Sequence, residues 1–205
     1  MPNFEIENSF NKIIAGIDEA GRGPWCGPVT ASAVIINQNT CSKHLISLLN
    51  DSKKLSKKKR NLIFDLLKEE EKKNNVVIGV GESSAIEIDE LNILQATFLA
   101  MTRAYKNLSQ KPEMLLIDGN KIPKDLDIEA KAIVKGDSLS NSIAAASIIA
   151  KVTRDNQMEE LAKQFPEYGW DSNSGYGTKS HIEAIDKYGI TEHHRKSYKP
   201  IAKYL

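Results

Sequence analysis

The sequence contains only two cysteines, Cys26 and Cys41, among its 205 residues. This number is too small for a disulfide framework, and the spacing is unlike the clustered ligands of a zinc site. We therefore expect free thiols in a reducing compartment, which predicts a cytoplasmic location.

Long apolar runs are absent as well. No segment approaches the roughly 18 uninterrupted apolar residues of a membrane helix, and the N-terminus has no basic start leading into an apolar run. A chain of this length is long enough for one full hydrophobic core and short for two. We expect a monomer without a membrane partner.

The sequence has no large excess of either charge, because its 28 basic and 27 acidic residues give a net charge of +1. The basic residues are nevertheless clustered in the segment 53–60 and again at Arg195, Lys196, Lys199 and Lys203. A lysine run is often no more than a solvated helix face. If the two clusters lie together, they could form a surface that follows a phosphate backbone.

The hydrophobic pattern predicts an α/β domain with a mixed sheet. The predicted strands, of which the first two form a plausible hairpin, are KIIAGID, VTASAVII, NVVIGVGE, EMLLID and AKAIV. The predicted helices are SKKKRNLIFDLLKEEEKK, IDELNILQATFLAMTRAYKNL, SNSIAAASIIAKVTRDNQMEELAKQF and KSHIEAIDKYG.

Helical spacing also predicts which side chains pack. The first helix has Ser56 as a candidate N-cap, and its apolar residues are Leu62, Ile63, Leu66 and Leu67. The second is predicted as one continuous helix with Asp89 at its start, and its apolar face is Leu91, Leu94, Phe98, Met101 and Tyr105.

Acidic residues stand where three predicted strands end. Asp18 and Glu19 close the first strand, Asp118 closes the fourth, and Asp137 follows the fifth. Ligands bind at strand ends in open α/β sheets, so acids that are distant in sequence could converge there. Each acid also has a local explanation, because Asp-Gly is a common turn and Asp can cap a helix. Their shared position behind apolar strands favours convergence.

Several carboxylates in one cleft need a counter-charge, because like charges in contact raise one another's pKa. Oxygen ligands without neighbouring cysteine or histidine suit Mg²⁺ or Mn²⁺ better than zinc. Two such ions about 4 Å apart would stabilise the attacking and the leaving oxygen of a phosphodiester displacement.

Seven motifs, in this order, resemble the bacterial ribonuclease HII family: GIDEAGRGPWCGPV, DSKKLS, EIDELNILQAT, LLIDGN, KGDS, AAASIIAKVTRD and TEHHRKSY. The resemblance extends from Ile13 to Tyr198. It implies a ribonuclease H-like fold with a central mixed β-sheet flanked by helices, plus a C-terminal helical extension. We accordingly expect a catalytic domain over residues 1–165 and the extension, packed on it, over residues 166–205.

The resemblance also implies an activity. The family hydrolyses the RNA strand of RNA·DNA hybrids and cuts 5′ of ribonucleotides embedded in duplex DNA, using two metal ions and leaving a 3′-hydroxyl and a 5′-phosphate. Its four metal-binding and catalytic acids fall on Asp18, Glu19, Asp118 and Asp137.

Substrate contacts are expected from the same resemblance. The family's Gly-Arg-Gly turn falls on Gly21, Arg22 and Gly23. Its backbone would contact the ribonucleotide and read the 2′-OH, the group that distinguishes RNA from DNA. The junction-sensing tyrosine falls on Tyr176, and Lys53 is a further candidate contact. Alternatively, Tyr176 only packs with Tyr168 and Trp170.

The chain departs from the family pattern close to this tyrosine. Many relatives read GYPT where this chain has Gly177, which predicts a more mobile loop around Tyr176. Trp25 and Cys26 stand at positions usually filled by smaller or aliphatic residues, which predicts local repacking.

Two other functions compete with a nuclease: a magnesium-dependent phosphatase and a noncatalytic hybrid-binding module. The basic clusters argue against the first, and the four acids argue against the second. A fifth acid, Asp155, is predicted to lie in mid-helix as a partner of Lys151 or Arg154 rather than as a metal ligand.

Overall fold

One mixed sheet of five strands lies at the centre of the computed structural model, which describes all 205 residues. The strands are β1 (Ile14–Ala20), β2 (Val29–Ile36), β3 (Val76–Ser83), β4 (Met114–Asp118) and β5 (Ala130–Ile133). They lie in the order β3-β2-β1-β4-β5. The pairs β1–β2 and β2–β3 are antiparallel, and β1–β4 and β4–β5 are parallel. The predicted hairpin and mixed sheet are confirmed.

Helices cover both faces of this sheet, as the predicted fold class requires. They are α1 (Glu5–Asn8), α2 (Lys43–Leu48), α3 (Lys57–Lys72), α4 (Ala85–Leu91), α5 (Ile93–Lys106), α6 (Asn141–Gln164), α7 (Trp170–Asn173), α8 (Lys179–Tyr188) and α9 (Lys199–Ala202). The α5 helix packs on one face, and α3 and α6 pack on the other. None of the helices combines the length and apolar character needed to cross a membrane.

The close approach of α6 to β1 depends on small residues. Side chains alternate along a strand, so Ala15 and Ile17 face α5, whereas Gly16 faces the first turn of α6. A Cβ at Gly16 would lie 2.3 Å from the backbone of Ser142 and Ile143. Glycine at this position therefore lets the start of α6 lie directly on the central strand.

The second long helix was predicted as one element, and this prediction was wrong. Asn92 has a left-handed φ of 69° and separates α4 from α5. Its side chain caps α5, and Leu91 is left 40% exposed rather than in the core. Asp89 lies inside α4, where its carboxylate accepts hydrogen bonds from the backbone N–H groups of Lys196 and Ser197.

The predictions for α3 are confirmed except at one position. The Ser56 hydroxyl accepts a hydrogen bond from the Lys59 N–H and caps the helix. Ile63 and Leu67 are buried, but Leu62 is 52% exposed. Leu62 therefore lies outside the apolar stripe of α3 that faces the core.

The C-terminal residues pack against the end of α6. Their shared cluster consists of Cys26, Met158, Ala162, Tyr168, Trp170, Ala184, Ile185 and Ile201. The extension from residue 166 thus shares a core with the catalytic part, and its boundary after residue 165 stays a prediction. Cys26 and Cys41 are both free and buried.

We predict that Gly16→Ala lowers the free energy of unfolding by about 1–3 kcal/mol, the usual cost of overpacking. Backbone atoms, which cannot rotate away, surround the added methyl group. Thermal unfolding should be compared with Gly23→Ala, whose Cβ meets only the Tyr176 ring, at 3.3 Å or more. Equal losses in the two variants would contradict a special requirement for glycine beneath α6.

Candidate active site

Asp18 and Glu19 are adjacent in sequence, but they point to opposite faces of β1 because strand side chains alternate. Asp18 faces α6, where Ser147 lies near its carboxylate. Glu19 lines a small cleft with Leu94 and Phe98 of α5. The pair therefore supplies one carboxylate on each side of the strand end.

Three of the four predicted acids meet at the strand ends. Ile17 and Ile117 are partners in the parallel β1–β4 ladder, so Asp118 lies beside Asp18. Asp137 comes from a 3₁₀ turn (Gly136–Ser138) that follows β5. The carboxylate oxygens of Asp18, Asp118 and Asp137 lie within 4.8 Å of one another. We call these three residues the acid trio; Glu19 lies outside it.

A backbone hydrogen bond links Asp118 to the turn that carries Asp137. The Gly136 N–H donates to Oδ1 of Asp118 at 2.7 Å. The preceding residue, Lys135, has a left-handed φ of 58° that directs the chain into the turn. The Asp118 carboxylate thus fixes the turn that carries Asp137.

The trio lies in an environment that opposes negative charge. Burial raises the pKa of Asp18 well above its usual range, and the charges of Glu19 and Asp118 raise it further. Burial likewise raises the pKa of Asp137, with added repulsion from Asp118. The site thus disfavours the charged form of both carboxyl groups, and a bound cation would offset this cost.

The only salt bridge to the trio comes from Lys53, whose Nζ lies 4.0 Å from Oδ2 of Asp137. Burial alone would lower the pKa of Lys53, but nearby acids, chiefly Asp18 and Asp137, raise it. One ammonium group with an 80% exposed side chain does not balance three carboxylates. The all-oxygen donor set and the excess negative charge fit a hard divalent cation.

Two supporting residues were missed by the sequence analysis. Asp51 caps the 3₁₀ turn at Ser52–Lys54, which carries Lys53, and its charge adds to the burial and the Asp118 repulsion that raise the pKa of Asp137. Ser147 contacts Asp18 and shares a 2.7 Å hydrogen bond with Ser52. The signal for Asp51 was its place in DSKKLS, whereas nothing in AAASIIAKVTRD singled out Ser147.

A cleft of about 340 Å³ adjoins the acids and brings the predicted substrate contacts together. Its lining includes Glu19, Gly21, Arg22, Gly23, Lys53 and Tyr176. The Tyr176 ring is 51% exposed and lies against Gly23. Tyr168 and Trp170 instead stack on each other at 4.9 Å, apart from Tyr176. Packing of Tyr176 with these two residues, the alternative considered above, is therefore not what the structure shows.

Arg195 was expected to contribute to a basic surface, and this expectation was wrong. The side chain is fully buried. Its guanidinium donates hydrogen bonds to the backbone carbonyls of Gly21, Arg22, Pro24, Gly27 and Pro28. A second buried arginine, Arg154, donates to Cys26 and Pro28. Both arginines therefore hold the loop that follows β1.

Asp155 lies outside the acid trio, as predicted. The Lys151 ammonium donates a 2.6 Å hydrogen bond to its carboxylate, and Nη2 of Arg60 lies at 4.0 Å. The proposed pairing with Lys151 is confirmed, whereas Arg154 contacts carbonyls instead.

The sheet order, together with carboxylates gathered at its strand ends, defines a ribonuclease H-like, metal-dependent hydrolase. A sequence profile described as Ribonuclease HII matches residues 15–201. Ribonuclease HII of Wolbachia sp. subsp. Brugia malayi is 50% identical over 200 residues, covering 98% of this chain and 94% of that protein. Its counterpart in Paramagnetospirillum magneticum is 47% identical over 205 residues, covering 100% and 99%.

Among solved structures, ribonuclease H2 from Pyrococcus horikoshii OT3 matches with a TM-score of 0.74 at 28% identity, covering 93% of this chain and 96% of that one. The chain belongs to the ribonuclease HII family. It is a metal-dependent endonuclease with ribonuclease H activity, and it acts on RNA–DNA substrates. Neither the phosphatase nor the noncatalytic binding module is favoured.

In the absence of divalent ions, Asp18→Asn should raise the thermal unfolding midpoint by a few degrees at pH 8. Because the pKa of Asp18 is raised in the folded state, its ionisation opposes folding above that pKa. Below the unfolded-state pKa the acid is protonated in both states, and the penalty disappears. The advantage of the variant should therefore shrink as the pH falls from 8 to 4.

The measurement is thermal unfolding in EDTA across this pH range. Asp155→Asn is the matched control, because it removes a carboxylate that is paired with Lys151, and it should gain no stability. An advantage of Asp18→Asn that stays constant with pH would contradict the electrostatic explanation.

Proposed function

We propose that Asp18, Glu19, Asp118 and Asp137 are the catalytic metal ligands and that the enzyme cuts 5′ of ribonucleotides embedded in duplex DNA, as well as in RNA·DNA hybrids. The acid trio, with its oxygens within 4.8 Å of one another, is the observation that carries this proposal. Glu19 supplies a fourth carboxylate from the other side of the β1 end. The proposed products are a 3′-hydroxyl and a 5′-phosphate.

Mg²⁺ or Mn²⁺ is the proposed cofactor, with two ions engaged during the reaction. When bound, such ions supply Lewis-acid stabilisation of the charge that develops on the phosphate. The protein's own contribution is to hold the carboxylates in place. The Gly136 N–H holds Asp118, Ser147 lies beside Asp18, and the Asp51 cap holds the turn that carries Lys53.

The loop after β1 supplies the proposed ribonucleotide contacts. The carbonyls of Gly21 and Arg22 are fixed by Arg195, and the Tyr198 hydroxyl also donates to the Arg22 carbonyl. The N–H groups of Arg22 and Gly23 donate no hydrogen bond within the protein. They are thus available to acceptors such as a 2′-oxygen or a phosphate.

Tyr176 and Lys53 complete the proposed substrate site. The half-exposed Tyr176 ring, lying against Gly23, would pack on the deoxyribose that follows the ribonucleotide. Lys53 presents an exposed ammonium at the edge of the acids, in a position suited to a phosphate. We further propose that the enzyme acts as a monomer in the cytoplasm, on ribonucleotides within cellular DNA.

Asp18→Asn, Glu19→Gln, Asp118→Asn and Asp137→Asn should each lower the single-turnover cleavage rate by about a hundredfold or more, since several kcal/mol of charge stabilisation depend on the ions. A labelled duplex with one ribonucleotide reports cleavage, and its anisotropy reports binding. Binding should persist in all four variants. Asp155→Asn removes a carboxylate that lies outside the trio, and this variant should cleave at a rate close to that of the parent. If it lost activity with its fold intact while Asp137→Asn cleaved normally, the fourth ligand would be misassigned.

Tyr176→Ala should selectively damage the processing of a lone ribonucleotide. Loss of an aromatic contact costs about 1–3 kcal/mol, and a long hybrid offers many registers in which the junction matters less. The measurement is the ratio of kcat/KM on a single-ribonucleotide duplex to kcat/KM on an all-RNA hybrid, which we call the junction ratio. Tyr176→Phe, which keeps the ring, should retain most of this ratio. Equal losses on both substrates would make Tyr176 a general binding or structural residue.

A further inference from the structure

We propose that Trp25 is a positioning residue for Tyr176 and that it acts by occupying the space beside Gly177. The two departures from the family pattern, tryptophan at position 25 and glycine at position 177, would then be one structural unit. The proposal rests on the junction-sensing role proposed above for Tyr176, and it names the residues by which this chain holds that side chain.

The indole of Trp25 lies directly on Gly177. A Cβ on Gly177 would lie 2.1–2.3 Å from ring atoms Cζ2, Cη2 and Cε2 of Trp25, closer than any side chain can approach. The Trp25 backbone N–H also donates to the carbonyl of Gly175 at 2.8 Å. Trp25 therefore contacts the residues on both sides of Tyr176, one through its backbone and the other through its ring.

The backbone at Gly177 gives no other reason for glycine. The Thr178 N–H donates to the Tyr176 carbonyl at 2.8 Å, which forms a three-residue turn centred on Gly177. The φ of Gly177 is not left-handed, and its N–H donates no hydrogen bond. An inverse turn of this size has φ of about −75°, a value that proline also adopts. The indole, rather than the turn, thus excludes a larger residue.

Trp25 is itself held in place. Its carbonyl accepts a 2.8 Å hydrogen bond from the Arg195 N–H, within the loop that the buried guanidinium fixes. Nδ1 of His181, whose ring lies 6.2 Å from that of Trp25, is 2.9 Å from the Tyr176 carbonyl. The Trp170 indole N–H donates to the other nitrogen of His181, so that Nδ1 is the nitrogen available to donate. Packing and hydrogen bonds therefore restrain the backbone around Tyr176, as a proline at position 177 would otherwise do.

A double-mutant cycle on Trp25→Ala and Gly177→Pro tests the coupling. Each single variant should lower the junction ratio by about five- to a hundredfold, the range expected when one aromatic contact is lost. In Gly177→Pro the added ring collides with the indole, and in Trp25→Ala the turn loses its support. In the double variant proline fills the space of the indole. The junction ratio should therefore return to within about threefold of the parent's value.

Hydrogen exchange of the amides in residues 173–178 supplies a readout that does not depend on activity. Exchange should increase in Trp25→Ala, stay close to the parent in Trp25→Phe, and recover in the double variant. Thermal unfolding identifies any variant that is globally destabilised. Gly177→Ala, whose Cβ meets the same indole atoms, replaces Gly177→Pro in that case, and Trp25→Leu replaces Trp25→Ala.

Two outcomes would overturn the proposal. One is that the losses of the single variants multiply in the double variant, and the other is that Gly177→Pro leaves both the junction ratio and the exchange unchanged. Tyr176→Ala separates this failure from failure of the proposed function. If Tyr176→Ala lowers the ratio but the cycle shows no coupling, only the role of Trp25 is lost. If Tyr176→Ala leaves the ratio unchanged, the junction-sensing role itself is wrong.

Discussion

Two buried guanidinium groups hold the loop between β1 and β2, and the rest of the substrate cleft depends on them. Arg195 and Arg154 donate to most of the backbone carbonyls of residues 21–28, without a carboxylate partner. An irregular loop rich in glycine and proline cannot satisfy these carbonyls within itself, and unpaired buried carbonyls would be costly. The arginines solve this problem, although burial lowers the pKa of Arg154 to about 10. At that value Arg154 stays charged at neutral pH, and the two guanidinium groups together hold the course of the loop.

This anchoring links the two parts of the proposed reaction. The loop begins where β1 delivers Asp18 and Glu19, and it continues through the turn against which Tyr176 lies. Arg195 comes from the C-terminal segment, far along the chain, and Arg154 comes from α6. In the proposed reaction, the choice of cleavage position and the cleavage step both depend on this one stretch of backbone, which two distant segments hold.

At the acid trio, by contrast, the fold places neighbouring carboxylates in an arrangement that is electrostatically unfavourable. Gly16 lets α6 lie directly on β1, so that Ser147 reaches Asp18 and the carboxylates become buried. Burial and repulsion raise the pKa values of Asp18 and Asp137 in the absence of a cation. Perturbed pKa values of this kind are typical of functional sites. A divalent cation converts the same arrangement into a binding site.

The sequence by itself determined the five strands, the helices α3, α6 and α8, the α/β class and the acids that end strands, because apolar periodicity and strand-end position are local properties. Its family motifs also identified Asp18, Asp118, Asp137 and Tyr176 as candidates. Only the tertiary structure decided that Asn92 breaks a helix, that Arg195 is buried rather than on a basic surface, and that Trp25 lies on Gly177. The last two features depend on contacts between segments that are distant in sequence, 174 residues apart for Arg195 and Gly21. Hydrophobic patterning specifies which face is buried, but not which polar group satisfies a distant carbonyl or which ring fills a space.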